Sequence, residues 1–185
     1  MPNLIQISQK KISIGDKYTI KVNGTPVLKG ARRLFKLFPL LEVMPLQGGE
    51  PVFTIEQRGF VFMAPAFVFT FGANKYELTT VSWWKKHYQI HMGRDVFDIY
   101  GHRGRKASIY LNGKQVAWFQ SAAVTFFAGD EYNIHADAQV SVDWIIAIAL
   151  FWDMWNNRSG NKGMINIRFG SLVQAKPFDK NWVPA

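Results

Sequence analysis

Apolar and polar residues alternate with a period of two along most of the first 136 residues, in short runs separated by turn residues. Such alternation is typical of antiparallel strands that bury one face. The pairs Asn23-Gly24 and Asn112-Gly113 each separate two runs, and an Asn-Gly pair accommodates the positive φ angles of a tight hairpin. Further turns are predicted within residues 46–51, 71–76, 91–95 and 101–106. The spacing predicts about ten to twelve strands, arranged as an all-β barrel or sandwich.

One strand-initiating pattern occurs twice. The segment SIGDKYTI (residues 13–20) is echoed by FAGDEYNI (residues 127–134), with Gly, Asp, Tyr and Ile at the same offsets. A Gly-Asp turn followed by Tyr and Ile two residues apart places both large side chains on one face of a strand. We therefore expect Gly15-Asp16 and Gly129-Asp130 to form equivalent turns, with Tyr18 and Tyr132 at comparable positions in their strands.

The segment VDWIIAIALFWDMW (residues 142–155) is the most apolar run of the chain, with nine consecutive apolar residues between Asp143 and Asp153. A membrane-spanning helix needs about 20 apolar residues, so this run is too short to cross a bilayer. Its length and its alanines disfavour a strand. The sequence therefore predicts a helix that is apolar on all sides, and such a helix has to be buried inside the sheet that the rest of the chain forms.

Two stretches next to these elements carry a family resemblance. KKISIGDKYTIKVNGTPVLKG lies near the start of the strand pattern, and GRKASIYLNGKQVAWFQSAAVTFFAGDEYNIHAD precedes the apolar helix. With this arrangement the chain resembles the tubby C-terminal-like superfamily. It looks most like the LURP-one-related branch of plants and bacteria, and it is more distantly similar to phospholipid scramblases.

The resemblance implies a mainly β fold, a closed antiparallel β-barrel of about twelve strands around a central, buried hydrophobic helix at residues 142–155. We expect a single domain that spans residues 1–185. The residues after the helix depart from the family pattern, and we expect them to add a strand and a tail at 164–185.

Composition bounds the class of protein. The chain of 185 residues is 48% hydrophobic and 15% aromatic, which is enough for a sizeable core in one domain. It has no cysteine, which excludes a disulfide framework, a thiolate nucleophile and a cysteine-ligated metal. The first residues reach Lys10 and Lys11 without the apolar block that a signal peptide needs. We therefore expect an unprocessed, cytoplasmic protein.

The sequence offers little for catalysis or metal binding. His87 and His91 lie on a predicted strand, where four residues span about 13 Å, too far for both to bind one metal. Asp95 and Asp98 fall on opposite faces of a strand, which disfavours paired acid–base chemistry. Ser159 follows the helix and lacks the strand-to-helix elbow of a hydrolase serine. We predict no enzymatic activity, no catalytic residue, no metal and no cofactor.

The net charge of +9 is concentrated near the start of the chain. Residues 1–36 carry eight basic side chains and one acidic side chain, a sum of +7, whereas the remaining residues carry fourteen basic and twelve acidic groups, a sum of +2. Such asymmetry favours a polyanionic partner, either lipid head groups or nucleic acid, although a role in solubility alone also accounts for it.

Three segments combine cations with aromatic residues or glycines. SWWKKHY (residues 82–88) sets two tryptophans beside two lysines, the pairing found where proteins meet a bilayer interface. On a strand, one of these tryptophans faces the core, and the other is exposed or covered by a loop. ARRLFKLF (residues 31–38) mixes cations with apolar side chains, and GHRGRK (residues 101–106) is a basic hairpin loop. The candidate residues for polyanion binding are Arg32, Arg33, Lys36, Lys85, Lys86, Arg103, Arg105 and Lys106, with Trp83 and Trp84 as candidate membrane-interface aromatics.

The leading functional hypothesis is a non-enzymatic binding module that associates with anionic phospholipid or phosphoinositide head groups at the inner face of the membrane. The resemblance implies this, because tubby proteins hold phosphoinositide head groups and scramblases act on phospholipids. A nucleic-acid-binding barrel is the first alternative, since basic surfaces track phosphates and aromatic side chains stack on bases. A soluble structural or interaction protein without a ligand is the second. An enzyme or carrier with a pocket in the barrel is disfavoured, because the helix fills the interior.

Overall fold

The computed structural model of the protein describes residues 1–12, 15–33, 38–58, 66–123, 130–156 and 174–185. These residues form twelve strands followed by one α-helix. In chain order the elements are β1 (Asn3–Ile12), β2 (Gly15–Val22), β3 (Thr25–Arg33), β4 (Leu40–Pro45), β5 (Phe53–Gln57), β6 (Phe67–Phe71), β7 (Asn74–Ser82), β8 (His87–Met92), β9 (Asp95–His102), β10 (Lys106–Leu111), β11 (Lys114–Ala123), β12 (Asp130–Ala136) and α1 (Val142–Asn156).

The twelve strands form a closed antiparallel barrel in which each strand pairs with its neighbours in sequence. The last strand, β12, pairs with β1 and closes the barrel, with Ile7 opposite Tyr132. The turn after β2 has φ angles of 51° at Asn23 and 81° at Gly24, and the Asn112-Gly113 turn after β10 has the same pair of angles. The predicted Asn-Gly hairpins and the predicted closed barrel are both confirmed.

Alternate residues of each strand fill the barrel interior. On β12, Tyr132, Ile134 and Ala136 are buried, and the residues between them are half-buried. On β5, Phe53 and Ile55 are buried in the same way. Because successive side chains of a strand point to opposite faces, the period of two read from the sequence becomes one apolar lining for the barrel.

The two echoed segments place their tyrosines alike. Tyr18 on β2 and Tyr132 on β12 are both buried, and each is followed two residues later by a buried isoleucine. The strands β2 and β12 flank β1 on its two sides. Gly129 lies outside the described residues, so the equivalence of the two Gly-Asp turns stays a prediction.

Helix α1 lies inside the barrel. Every residue from Ile145 to Trp152 is at most 5% exposed, so no face of this part of the helix reaches solvent. The ring of Phe151 packs edge-on against Phe67 of β6, at a centroid distance of 5.1 Å. Asp153 accepts a hydrogen bond from Tyr132 of β12, on the opposite side of the barrel. The predicted buried helix at residues 142–155 is therefore confirmed.

Antiparallel pairing divides the connections between the two ends of the barrel. The connections β1–β2, β3–β4, β5–β6, β7–β8, β9–β10 and β11–β12 lie at one end, and the remaining ones lie at the other. Helix α1 starts at the second end, where the Trp144 ring lies 4.3 Å from the Phe71 ring. Its last turns reach the first end, where Trp152 meets Gly101. This division decides which charged residues lie together.

Residues 174–185 cross the outside of the barrel wall and form neither a helix nor a strand. Phe178 contacts the rings of His102 on β9 and Trp118 on β11. The N–H of Ala138 donates a 3.0 Å hydrogen bond to the carbonyl of Ala185. The strand predicted within 164–185 therefore does not occur in residues 174–185, and residues 164–173 lie outside the described part of the chain.

Candidate functional site

All the candidate cations that the structure describes lie at one end of the barrel, where odd-numbered strands lead into the next strand. Arg32 and Arg33 end β3, Lys85 and Lys86 belong to the β7–β8 turn, Arg103 and Arg105 belong to the β9–β10 turn, and Lys106 begins β10. Lys36 lies outside the described residues. The antiparallel order of the barrel thus brings together cations from three separate segments of the sequence.

Four further cations stand at the same end and were not among the candidates. Lys10 and Lys11 lie near the end of β1, Lys17 lies near the start of β2, and Arg58 directly follows β5. Lys10 and Lys17 contributed to the charge excess of residues 1–36, whereas Arg58 carried no signal in the sequence. We call this end the basic end, and the cations that the described backbone places there are Lys10, Lys11, Lys17, Arg32, Arg33, Arg58, Lys85, Lys86, Arg103, Arg105 and Lys106.

Arg33 and Arg58 at the basic end pair with carboxylates on the barrel wall. Arg33 Nε lies 2.7 Å from Glu42 Oε2, and the Arg33 side chain is 61% exposed. The hydrogen bond to Glu42 and the charge of that carboxylate raise the pKa of Arg33 above its ordinary value, so the guanidinium stays charged. Arg58 Nε lies 3.5 Å from Glu56 Oε2. Because both arginine side chains are more than half exposed, these pairs contribute little to stability, and the guanidinium groups remain at the surface.

The opposite end of the barrel carries a mixture of both signs. Its cations include Lys21, Lys75, Arg94 and Lys114, and its acidic residues include Glu50, Glu77, Asp95 and Asp137. Lys114 Nζ lies 4.0 Å from Asp137 Oδ2 in one such pair. The basic end carries Asp16 at the start of β2 and Asp130 and Glu131 at the start of β12, but its cations outnumber these acidic residues, so the excess positive charge of the described residues is polarised toward the basic end.

Both tryptophans of the β7–β8 turn are exposed. Trp83 is 52% exposed and Trp84 is 44% exposed. The ammonium of Lys85 lies 4.7 Å from the centroid of the Trp84 ring, within the range of a cation–π interaction. The expectation that one tryptophan faces the core is wrong, because residues 83–86 form the turn itself and the period-two rule of a strand does not apply there.

Lys86 reaches into the mouth of the barrel. It precedes the inward-facing Tyr88 by two residues, and its ammonium lies 6.0 Å from the centroid of the Trp152 ring. Although the residue as a whole is exposed, the burial of its charged end lowers the pKa of Lys86. Its carbonyl also accepts a 2.9 Å hydrogen bond from the N–H of Gly101. Lys86 thus links the basic end to the last turns of the buried helix.

The β9–β10 turn presents two arginines to solvent. Arg103 and Arg105 are both exposed, and positive φ angles of 75° at Gly104 and 59° at Arg105 form the turn. Lys106, the next residue, is only half-exposed, because its ammonium lies 5.0 Å from the Phe178 ring centroid and 5.9 Å from that of Trp118. Lys106 therefore belongs partly to the outer wall, whereas Arg103 and Arg105 extend from the basic end into solvent.

The barrel interior becomes polar beneath the basic end. Gln9 of β1, Gln57 of β5 and Ser121 of β11 are buried close to this end of their strands. On the helix, Asp153 is 1% exposed. A buried carboxyl group needs hydrogen-bond partners, because burying it without them costs several kcal/mol. Sequence reasoning noted Asp153 at the end of an apolar helix but did not connect it with the echoed tyrosines, which supply those partners.

The described residues contain no group of three or more His, Asp or Glu side chains placed to hold a metal ion. His87 Nε2 lies 2.7 Å from Asp98 Oδ1, and the His87 ring stacks on Tyr100. Within the same part of the chain, no helix has the length and apolar character that crossing a membrane requires.

The barrel and its helix define the class of protein. A closed antiparallel barrel of twelve strands with one hydrophobic helix is consistent with the tubby-like fold. A family model described as LURP-one-related matches residues 4–153, which span the barrel and most of the helix, and the chain therefore belongs to the LURP-one-related family. This family is a binding-type domain family and is not known as an enzyme family. No curated protein matches the chain, and no solved structure matches it.

Proposed function

We propose that the protein is a non-enzymatic module that binds anionic phospholipid or phosphoinositide head groups, with its basic end facing the membrane. The observation that carries this proposal is the convergence of cations from separate strands around two exposed tryptophans at one end of the barrel. Membership in the LURP-one-related family supports a ligand-binding role of this kind.

Electrostatic attraction supplies the first part of the proposed affinity. Lys85, Arg103 and Arg105 lie in two turns at the same end, and the hydrogen bond from the Gly101 N–H to the Lys86 carbonyl joins the β7–β8 turn to β9. Each Lys or Arg held close to an anionic membrane contributes about 1 kcal/mol, and the attraction falls off within a Debye length. Binding should therefore weaken as the salt concentration rises.

The exposed tryptophans supply the second part. Tryptophan favours the interface between head groups and acyl chains, where its apolar ring and its N–H are both accommodated. Trp83 and Trp84 stand on the turn that also carries Lys85, so insertion of the rings brings the ammonium to the level of the phosphates. This contribution depends little on salt, and the proposed binding therefore has a salt-sensitive part and a salt-resistant part.

Tryptophan fluorescence during vesicle titration tests the proposal. We expect a blue shift with phosphatidylcholine vesicles that contain phosphatidylserine or a phosphoinositide, and little shift with phosphatidylcholine alone. Trp83→Phe together with Trp84→Phe should remove the shift, because these rings enter the bilayer. Trp118→Phe is the matched control, since Trp118 lies on the outer wall against Phe178. Absence of vesicle binding, or a shift that survives the double substitution, contradicts the proposal.

The same samples separate lipid binding from nucleic-acid binding. The salt dependence of binding does not by itself distinguish the two ligands, because counterion release from nucleic acid has the same electrostatic origin. Stacking of Trp83 or Trp84 on bases should mainly quench their emission, whereas entry into a bilayer should shift it to shorter wavelength. Quenching by a single-stranded oligonucleotide without any response to anionic vesicles is the result that favours the nucleic-acid alternative.

A further inference from the structure

The outer wall of the barrel has an aromatic face beneath residues 174–185. Tyr110 on β10 is 6% exposed, although the inward positions of that strand are taken by Ala107 and Ile109. Ser108 is 1% exposed, and its Oγ lies 2.6 Å from Nε2 of His102 on the same face. Residues 174–185 cover this face, with the Lys176 ammonium over the Tyr110 ring. We call Tyr100, His102, Tyr110 and Trp118 the outer aromatic face.

Two side chains of the covering segment fit this face. The ammonium of Lys176 lies 3.8 Å from the ring centroid of Tyr110 and 5.7 Å from that of Tyr100, so one cation contacts two rings. The ring of Phe178 meets Trp118 at 5.4 Å and His102 at 5.2 Å, both in edge-to-face geometry. Cation–π and edge-to-face pairs are directional, so the face selects a cation and an aromatic residue at a fixed separation.

Few backbone contacts hold the covering segment in place. Among the described residues, its backbone bonds to the barrel near one point, where Ala185 accepts from the Ala138 N–H and donates to Asp137 Oδ1 at 2.7 Å. Pro177, between the two anchoring side chains, restricts the backbone and favours an extended path. The segment therefore depends on side-chain recognition, and it can leave the wall without breaking a strand ladder.

We propose that the outer aromatic face is a docking site for an extended peptide that carries a cation two residues before an aromatic side chain. The chain's own Lys176-Pro177-Phe178 occupies the site in cis, and a segment of another protein with the same pattern takes its place in trans. The site lies on the barrel wall and meets the basic end at Lys106, whose ammonium lies 5.0 Å from the Phe178 ring centroid.

A peptide-binding experiment on the full chain tests this inference. A fluorescently labelled synthetic peptide of residues 174–185 is titrated with the variant Lys176→Gln, Phe178→Ala, whose own segment no longer fits the face. We expect saturable binding to this variant and binding at least about tenfold weaker to the unmodified chain, because a tethered competitor acts at an effective concentration of about a millimolar. The variant Lys180→Gln, which changes an exposed cation of the same segment, should behave like the unmodified chain.

Two further variants locate the binding. Trp118→Leu added to the double variant should abolish peptide binding, and a peptide that carries Lys176→Gln and Phe178→Ala should not bind. Circular dichroism establishes that each variant keeps its barrel, and Lys176→Gln alone repeats the test if the double variant does not fold. Equal binding to the double variant and the unmodified chain, or no binding to any folded variant at millimolar peptide, overturns the inference.

Discussion

Tyr18 donates a hydrogen bond of 2.6 Å to Oδ2 of Asp153, which is buried in the last turns of the helix. Tyr132 donates to Oδ1 of the same carboxyl group, also at 2.6 Å. One side chain therefore joins the end of the helix to β2 and β12, the two strands that flank β1. The echoed sequence pattern thus corresponds to a shared structural role for its two tyrosines.

Removal of either hydroxyl should destabilise the protein. Tyr18→Phe or Tyr132→Phe leaves one carboxyl oxygen without this partner, and we expect each to lower the free energy of unfolding by about 1 to 3 kcal/mol. Urea denaturation measures the change. Tyr76→Phe is the control, since Tyr76 is half-buried and its ring packs against Phe71 and Trp144. Equal, negligible effects in all three variants contradict the assignment of a structural role to the Asp153 cluster.

Shortening an apolar side chain of the buried helix should lower the free energy of unfolding by a larger amount. Ile146 and Leu150 are at most 1% exposed and lie inside a closed barrel that cannot collapse around a cavity. Ile146→Ala or Leu150→Ala should lower the free energy of unfolding by about 2 to 5 kcal/mol. Val183→Ala removes a comparable apolar group at a position that is 78% exposed, and it should have little effect on thermal or urea denaturation. If the two helix substitutions leave the free energy of unfolding unchanged, Ile146 and Leu150 do not lie in a close-packed core.

Gly101 is required by the close approach of the helix to β9. A Cβ atom at this position would lie 2.5 Å from Trp152 Cη2 and 2.7 Å from Lys86 Cβ, both closer than real contacts allow. We expect Gly101→Ala to cost about 1 to 3 kcal/mol through overpacking. Adding Trp152→Leu should recover part of that loss if the clash with the indole causes it. If the losses of unfolding free energy from the two single substitutions simply add up in the double variant, the clash with the Trp152 indole is not the cause.

Alkaline pH should destabilise the protein through Tyr88. Burial raises the pKa of Tyr88 to about 12, whereas an unfolded tyrosine titrates near pH 10. The unfolded chain therefore releases this proton at a lower pH than the folded chain does. The free energy of unfolding is unaffected by this titration below about pH 10, and it falls by up to about 2 to 3 kcal/mol as the pH rises through 12. Tyr88→Phe should lose less stability than the unmodified chain between about pH 9 and about pH 11 in urea denaturation. An identical alkaline loss in both proteins contradicts the predicted shift.

Much of the fold could be predicted from local chemistry. Asn-Gly pairs specify tight hairpins, and the alternation of apolar and polar residues specifies strands. The apolar run with Asp143 and Asp153 at its ends is too short to span a membrane and too apolar to lie on the protein surface. The clustering of Lys85 with Arg103 follows from the same information once the strands are counted, because alternate connections of an antiparallel barrel share an end.

Other features depend on contacts that no local pattern encodes. Trp84 is exposed because the strand ends one residue before Trp83, and strand boundaries are the least certain part of a periodicity argument. Arg58 lies at the basic end because β5 ends there, and no pattern in the sequence around Arg58 indicates this. The engagement of Lys106 with Phe178 joins residues from distant parts of the chain, and the segment that carries Phe178 has no periodicity from which to place it.

The most direct test of the central claim compares two triple variants with the same change in net charge. Lys85→Gln, Arg103→Gln, Arg105→Gln neutralises the basic end, and Lys21→Gln, Lys75→Gln, Arg94→Gln neutralises exposed cations of the opposite end. Binding to vesicles with a fixed fraction of phosphatidylserine is measured by co-sedimentation. We predict a loss of about 3 kcal/mol in binding free energy for the first variant and a much smaller loss for the second. Equal losses in both variants, or no loss in the first, contradict the proposal that the basic end binds the membrane.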